Sequence, residues 1–206
     1  MCKVQNIKKS LVNDGYFMCN YGKNFKYNDI LNLMGEIILV SDIKFNPESK
    51  RYIHGINKLP LHTDSPEANI IAWQCISQDK MSGGSIIFDS RKIINQLNKR
   101  EIQNLSSTFL PYPSINGGGE KYHPVITKDE NQYKLYYTPW YIDGDKKTKE
   151  LNTLKKLIRQ HSSLSRRIML KPNQMLIIDN QRMLHGRDAL SKATSRHLKR
   201  FWLTRK

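Results

Sequence analysis

The chain has 206 residues, of which 38% are hydrophobic, and its 34 Lys and Arg against 18 Asp and Glu give a formal net charge of +16. That length suits one domain around one core, and no apolar run approaches the ~18 residues of a membrane helix. The N-terminus lacks the apolar core of a secretory signal, so a soluble, cytoplasmic protein is expected, with no membrane partner.

Taken in chain order, the first 45 residues read as a small α/β part of a single domain spanning 1–206. "IKKSLVNDGYFMC" is an amphipathic helix followed by a strand after Gly15. "YNDILNLMGEIILV" is a second helix, stopped near Gly35, running into another strand. Short strands between turns follow: "NIIAWQCIS", "GSIIFDS", "YHPVITKD", "YKLYYTPW", "RRIMLK", "QMLIIDN" and "RHLKRFWLT". Two helical insertions interrupt them. "DSRKIINQLNKREIQNLSS" has an Asp89/Ser90 cap, and "KTKELNTLKKLIRQHSS" carries Leu151, Leu154, Leu157 and Ile158 at helical spacing. Many short strands with few helices predict a mostly β fold with flanking helices, of the jelly-roll kind. "NGGGEKYH" lacks the Lys-Ser/Thr of a phosphate loop and reads as a flexible loop.

Three cysteines, Cys2, Cys19 and Cys75, are widely spaced with no CxxC. This argues against a disulfide framework or a structural zinc site, and Cys75 reads as a small core residue. The positive charge has two readings, a solvated lysine-rich surface or an anionic partner such as nucleic acid. The basic residues are scattered, with no dense arm and no nucleic-acid motif, which favours the solvated surface.

The chemistry concentrates in three places. In "LPLHTDSP", His62 and Asp64 are two residues apart, so on a strand both face one side. Alone, such a pair is a weak signal. "MLIIDNQRMLHGR" adds a second histidine, His185, after an apolar strand. Two histidines and one carboxylate form the facial triad of non-haem Fe(II) oxygenases, which keeps coordination positions open. In "SRHLKRFWLTRK", Arg196 lies eleven residues after His185, and Arg200 follows four later. On a strand, Arg196, Leu198 and Arg200 share a face. Two inward guanidiniums are costly unless an anion sits there, and a dicarboxylate fits the bidentate fork of arginine. Solvated arginines on an edge strand are the alternative.

These pieces occur in a telling order: "LHTDSP", "MSGGSIIFDS", "HPVITKDENQYKLYY", "LKPNQMLIIDNQRMLHGR" and "SRHLKRFW", from Leu59 to the C-terminus. Together they resemble the Fe(II)/2-oxoglutarate-dependent oxygenases, in the branch of taurine dioxygenase, γ-butyrobetaine hydroxylase and clavaminate synthase. The resemblance implies a double-stranded β-helix. It implies that His62, Asp64 and His185 hold Fe(II) and that Arg196, assisted by Ser85, binds the far carboxylate of 2-oxoglutarate. Arg200 is placed near the metal-bound end of that co-substrate. The implied reaction consumes O2, releases succinate and CO2, and hydroxylates an unactivated C–H. Halogenating relatives carry a small residue at the carboxylate position, so Asp64 points to hydroxylation or a variant such as desaturation.

Two departures stand out. "KPNQ" replaces the family's Lys-Pro-Gly-Asp turn, and Asn173 is expected to adopt the left-handed conformation of that glycine. The segment before His62 is abbreviated, which leaves room for a homodimer partner to complete the site. Tyr52, His54, Tyr137, Trp140 and Tyr141 are the residues placed towards substrate, with ordinary packing the alternative for each. The resemblance favours a small amine or amino-acid-like substrate. A protein or RNA substrate is the competing reading, from the +16 charge. A non-catalytic β-barrel binding module is a third, against which the complete His62, Asp64 and His185 set argues.

Overall fold

A computed structural model describes residues 4–22, 26–115, 117, 119–130, 132–142 and 148–205. Cys2, Asn116 and Gly118 of the glycine-rich loop, Gly144 and Lys206 lie outside the described residues. The chain opens with α1 (Val4–Asp14), β1 (Tyr16–Asn20), α2 (Tyr27–Met34) and β2 (Glu36–Lys44). It continues with β3 (Leu59–His62), β4 (Ile70–Ser77) and β5 (Ser85–Asp89), then α3 (Arg91–Ile94) and α4 (Lys99–Ser106). Four strands follow: β6 (Phe109–Pro113), β7 (Glu120–Pro124), β8 (Ile126–Asp129) and β9 (Gln132–Leu135). The last elements are α5 (Lys149–His161), β10 (Arg166–Ile168), β11 (Gln174–Asp179), β12 (Met183–Arg187) and β13 (His197–Thr204).

Two antiparallel sheets face each other, in the order β1-β11-β4-β13-β2 and β10-β5-β12-β3. This is the double-stranded β-helix. Strand periodicity explains its layers. Ile71, Trp73 and Cys75 of β4 and Leu176 and Ile178 of β11 point between the sheets, where they meet Ile87 and Leu198. The alternate residues Ile70, Ala72, Met175 and Ile177 point outward and are covered by Ile7, Leu11, Ile30 and Leu31 of α1 and α2. Because both faces of the larger sheet are buried, these strands read as continuous apolar runs rather than alternating ones. The smaller sheet is covered in turn by α3, α4 and α5 and the β6–β9 strands, around Phe88 and Leu184. Each fully buried Ile or Leu here contributes about 1.5–3 kcal/mol.

The first 45 residues do more than precede the sheets: β1 and β2 form the two edges of the larger one. Cys75 is buried, as its apolar surroundings implied, and Asn173 has φ 67°, in the left-handed region. Other expectations change. The helix predicted from Asp89 to Ser107 is two helices. Asn98 breaks it, because its side chain accepts from Glu101 N while Glu101 accepts from Asn98 N, a reciprocal cap that starts α4. Ser90 makes no capping bond, and Asp89 accepts from Arg91 N instead. "YHPVITKD" splits into β7 and β8 around Val125, and "YKLYYTPW" stays a strand only to Leu135. β6, in "FLPYP", and β12, in "MLHGR", are strands that periodicity did not mark, since one holds two prolines and the other a glycine. Among the described residues no helix is long and apolar enough to cross a membrane.

Candidate active site

The two sheets converge on one polar cluster. His62 on β3 and His185 on β12 are directly opposite in register, so both side chains leave the ladder on one face, with ring centroids 4.3 Å apart. Asp64 closes a triangle: Oδ1 is 3.7 Å from His62 Nε2, and Oδ2 is 3.7 Å from His185 Nε2. One ligand atom from each residue lies within 4.8 Å of the others.

Asp64 reaches this place by a route that strand periodicity does not supply. β3 ends at His62, and Asp64 lies in the loop beyond it. Hydrogen bonds pin that loop on both sides. Thr63 N donates to Tyr137 O at 2.8 Å, and Tyr137 N donates to Thr63 Oγ1 at 2.9 Å. Asp64 N donates to Asn180 Oδ1 at 2.9 Å, and Asn180 Nδ2 donates to Ser65 O and Ala68 O. Asn180 is buried at the end of β11, so its amide staples the carboxylate loop to the larger sheet. In the sequence Asn180 is only the last residue of the stretch "QMLIIDN".

The electrostatics leave electron pairs aimed inward. His62 Nδ1 is 2.8 Å from Pro60 O. A carbonyl only accepts, so Nδ1 carries a hydrogen and Nε2 is the ring nitrogen that faces the cluster. Burial, then the nearby His62, pushes His185 down to about 4, which keeps it neutral at pH 7. Its Nδ1 is buried, with no hydrogen-bond partner among the described residues. Burial works to raise Asp64, but the Arg200 guanidinium and the two histidines outweigh it and hold the carboxyl well below the usual range. Two imidazoles beside an ionised carboxylate are a donor set that fits Fe(II).

A cavity between the sheets runs from the two histidines to Arg196, with Ser85, Arg187 and Arg200 also in its wall. Arg196 immediately precedes β13 and, with Leu198 and Arg200, faces inward as the period of two predicted. It is 5% exposed. Its Nε donates to Gln78 Oε1 at 3.2 Å and its Nη2 to Ser85 Oγ at 3.5 Å, both neutral acceptors. Among the described residues it has no carboxylate ion pair. Burial, then the Arg187 charge, pushes Arg196 down to about 10, so it stays cationic at neutral pH. A buried cation without an anion is costly, and a carboxylate entering the cavity would remove that cost. Gly83 lets the loop close over it: at φ 69°, a Cβ there would lie 2.7 Å from Arg196 Cδ and 2.4 Å from Leu190 Cδ2.

Arg200 sits at the other end, where its Nη1 donates to Asp64 Oδ2 at 2.8 Å. Arg187, unremarked in the sequence although it follows His185 in "HGR", donates to Gly55 O and Asn57 O and is buried. Of the residues placed towards substrate, Trp140 lies over His62 with centroids 4.9 Å apart, and the exposed Tyr52 stacks on Trp140 at 6.1 Å. Tyr141 meets Trp140 edge-on at 6.3 Å. His54 shares a 2.9 Å hydrogen bond with Ser49 Oγ and adjoins β2. Tyr137 is buried, and its backbone is half of the Thr63 clamp.

Comparison with known proteins adds three findings. The family model described as taurine catabolism dioxygenase TauD, TfdA family, matches residues 20–202. No curated protein matches the sequence. Solved structures match the fold throughout. Asparagine oxygenase in complex with Fe(II), 2S,3S-3-hydroxyasparagine and succinate aligns with TM-score 0.75 at 15% identity, over 97% of this chain and 77% of that one. The non-haem iron oxygenase OrfP in complex with Fe and α-ketoglutaric acid gives 0.73 at 16%, over 98% and 80%. PvcB from Pseudomonas aeruginosa gives 0.69 at 16%, over 98% and 80%. With a family match from β1 into β13, the chain belongs to the TauD/TfdA family of dioxygenases.

Proposed function

We propose that this dioxygenase uses Fe(II), 2-oxoglutarate and O2 to hydroxylate an unactivated C–H of a small amino-acid-like substrate, with release of succinate and CO2. One observation carries the site assignment. His62 and His185, two corners of the triangle with Asp64, share a cavity with a buried Arg196 that has no carboxylate partner among the described residues. His62, Asp64 and His185 hold the metal, and Arg196 with Ser85 Oγ receives the far carboxylate of 2-oxoglutarate. The bound iron and co-substrate supply the oxidising chemistry.

The chain's own residues position, insulate and balance charge. Asn180 and Tyr137 fix the Asp64 loop from opposite sides. Pro60 O sets the His62 tautomer. Arg196 aims the co-substrate along the cavity, so that its other end reaches the histidines. Trp140 and Tyr52 wall the outer side of His62, where a small substrate would lie. The products bound in the similar structures, 3-hydroxyasparagine and 3-hydroxyarginine, are amino acids oxidised on carbon, which supports that substrate class.

The test is spectroscopic and chemical. Anaerobic protein with Fe(II) and 2-oxoglutarate should show a weak visible charge-transfer band, absent in His62→Ala. Incubation with an amino-acid panel in air should yield a product one oxygen heavier and stoichiometric succinate. A band that survives His62→Ala would sink the metal assignment. A macromolecular substrate is the second reading, motivated by the +16 charge. RNA binding that weakens steeply with salt would support it, and a flat response would remove it.

A further inference from the structure

The chain contains three tryptophans, and each touches a different corner of the triangle. Trp140 lies against His62, with centroids 4.9 Å apart, and Trp73 meets the His185 ring edge-on at 5.0 Å. Trp202 differs from both, because it bonds to an atom of the donor set: its Nε1 donates to Asp64 Oδ2 at 2.8 Å. Arg200 Nη1 donates to the same oxygen, also at 2.8 Å. Asp64 Oδ1, facing His62, receives no hydrogen bond from the described residues. The carboxylate is therefore asymmetric, with one oxygen's two lone pairs engaged and the other's free.

We propose that Trp202 is a positioning residue for Asp64, holding Oδ2 so that the carboxylate meets the metal through Oδ1 alone. This rests on the assignment of Asp64 as a metal ligand. The consequence is a matter of coordination number. A carboxylate bound through both oxygens fills one position more than a carboxylate bound through one. The facial triad needs its remaining positions open for a chelating co-substrate and for O2.

Trp202 suits the task better than Arg200 does. Indole is a donor only, with a single N–H in the plane of a rigid ring. That ring packs against the inner core cluster and lies beneath the Arg200 guanidinium, 4.8 Å from its centroid. It cannot turn its donor away without leaving both contacts. Arg200 has a long stem and a second partner, Ser41 Oγ, at 3.2 Å. Arg200 thus supplies charge, and Trp202 supplies direction. The strand places them together: positions 200 and 202 of β13 share the inward face with Leu198.

Trp202→Phe keeps the ring and deletes the N–H. The Co(II)-substituted protein reports coordination number through its visible absorption, without turnover. The expected result is a changed Co(II) spectrum in Trp202→Phe and a smaller spectral response to added 2-oxoglutarate. In the iron enzyme, kcat should fall about 10- to 100-fold while the KM for 2-oxoglutarate, set by Arg196, stays near the wild-type value. A variant with the wild-type Co(II) spectrum and kcat overturns the proposal. So does a fall in thermal stability alone, which marks a packing role. If wild-type protein fails to bind Co(II), the metal assignment itself falls, and this proposal with it. Should Trp202→Phe not fold, the wild-type indole N–H is decisive. Nitrogen-resolved NMR of the diamagnetic Zn(II) form should find it protected from hydrogen exchange, and exchange at the rate of a free indole overturns the proposal.

Discussion

The two ends of the cavity are built on opposite plans. At the histidine end, charges are matched within the protein: Asp64 faces two histidines and accepts from Arg200 and Trp202. At the far end, Arg196 is as deeply buried and meets only the neutral oxygens of Gln78 and Ser85. The first end is a set of electron pairs held for a cation. The second is a cation held for an anion. The protein balances one end itself and leaves the other unbalanced; on the proposed assignment of Arg196, the direction of the co-substrate is built in before it arrives.

The comparison breaks most sharply if the ends are not separable. His185→Ala should have the largest effect, lowering Mn(II) or Fe(II) affinity by more than about 100-fold, beyond the loss usual for a residue that only supports a ligand. Calorimetric titration measures it, and retention of wild-type affinity would remove His185 from the metal site. Arg196→Ala should raise the 2-oxoglutarate requirement by an amount equivalent to about 2–5 kcal/mol, while metal affinity in the absence of 2-oxoglutarate stays at the wild-type level. If both move together, the two ends are one unit and the contrast is wrong.

Smaller changes sharpen it. Asn180→Ala removes the amide that staples the Asp64 loop and leaves buried backbone groups unpaired. Unfolding stability should drop by about 1–3 kcal/mol, with weaker metal binding and an unchanged 2-oxoglutarate requirement in metal-saturated protein. Chemical denaturation reads the first, and calorimetry the second. The smallest effect belongs to Cys75, beside Arg196. Burial, against the pull of Arg196, raises its thiol from 9.0 to about 11. The folded chain keeps that proton where the unfolded chain loses it. The stabilisation is therefore complete below about pH 9 and disappears as pH climbs through 11. Melting temperatures of the wild type and Cys75→Ala across that window should differ in slope, and parallel curves would remove the effect.

Much of this was legible in the sequence because of period two. The inward face shared by Arg196, Leu198 and Arg200 follows from strand geometry alone, and the order of motifs pointed to the fold. What escaped was held by contacts between segments distant in the chain. Asp64 is placed by Asn180, 116 residues away, and by Tyr137, whose partner Thr63 is 74 residues away, and no local pattern encodes a clamp over such separations. Trp202 lay inside a quoted motif, yet its partner is an aspartate 138 positions earlier. β12 hid because its glycine broke the apolar pattern: Gly186 lets the strand pass close to Leu59 O, which a Cβ would approach to 2.6 Å. The break between α3 and α4 was visible after all, since Asn98 and Glu101 stand at capping spacing, but the apolar residues on both sides read as one continuous helix.

The placement of the three tryptophans also makes the protein its own optical probe. The indoles are the dominant emitters in a folded chain, and here all three lie at the triangle, with none elsewhere to dilute the signal. On the proposed metal assignment, intrinsic fluorescence should therefore report occupancy. A paramagnetic or coloured ion entering the cluster should quench nearly the whole emission band, not a fraction of it. Single substitutions at positions 73, 140 and 202 would divide that record into three channels, one for each corner of the site.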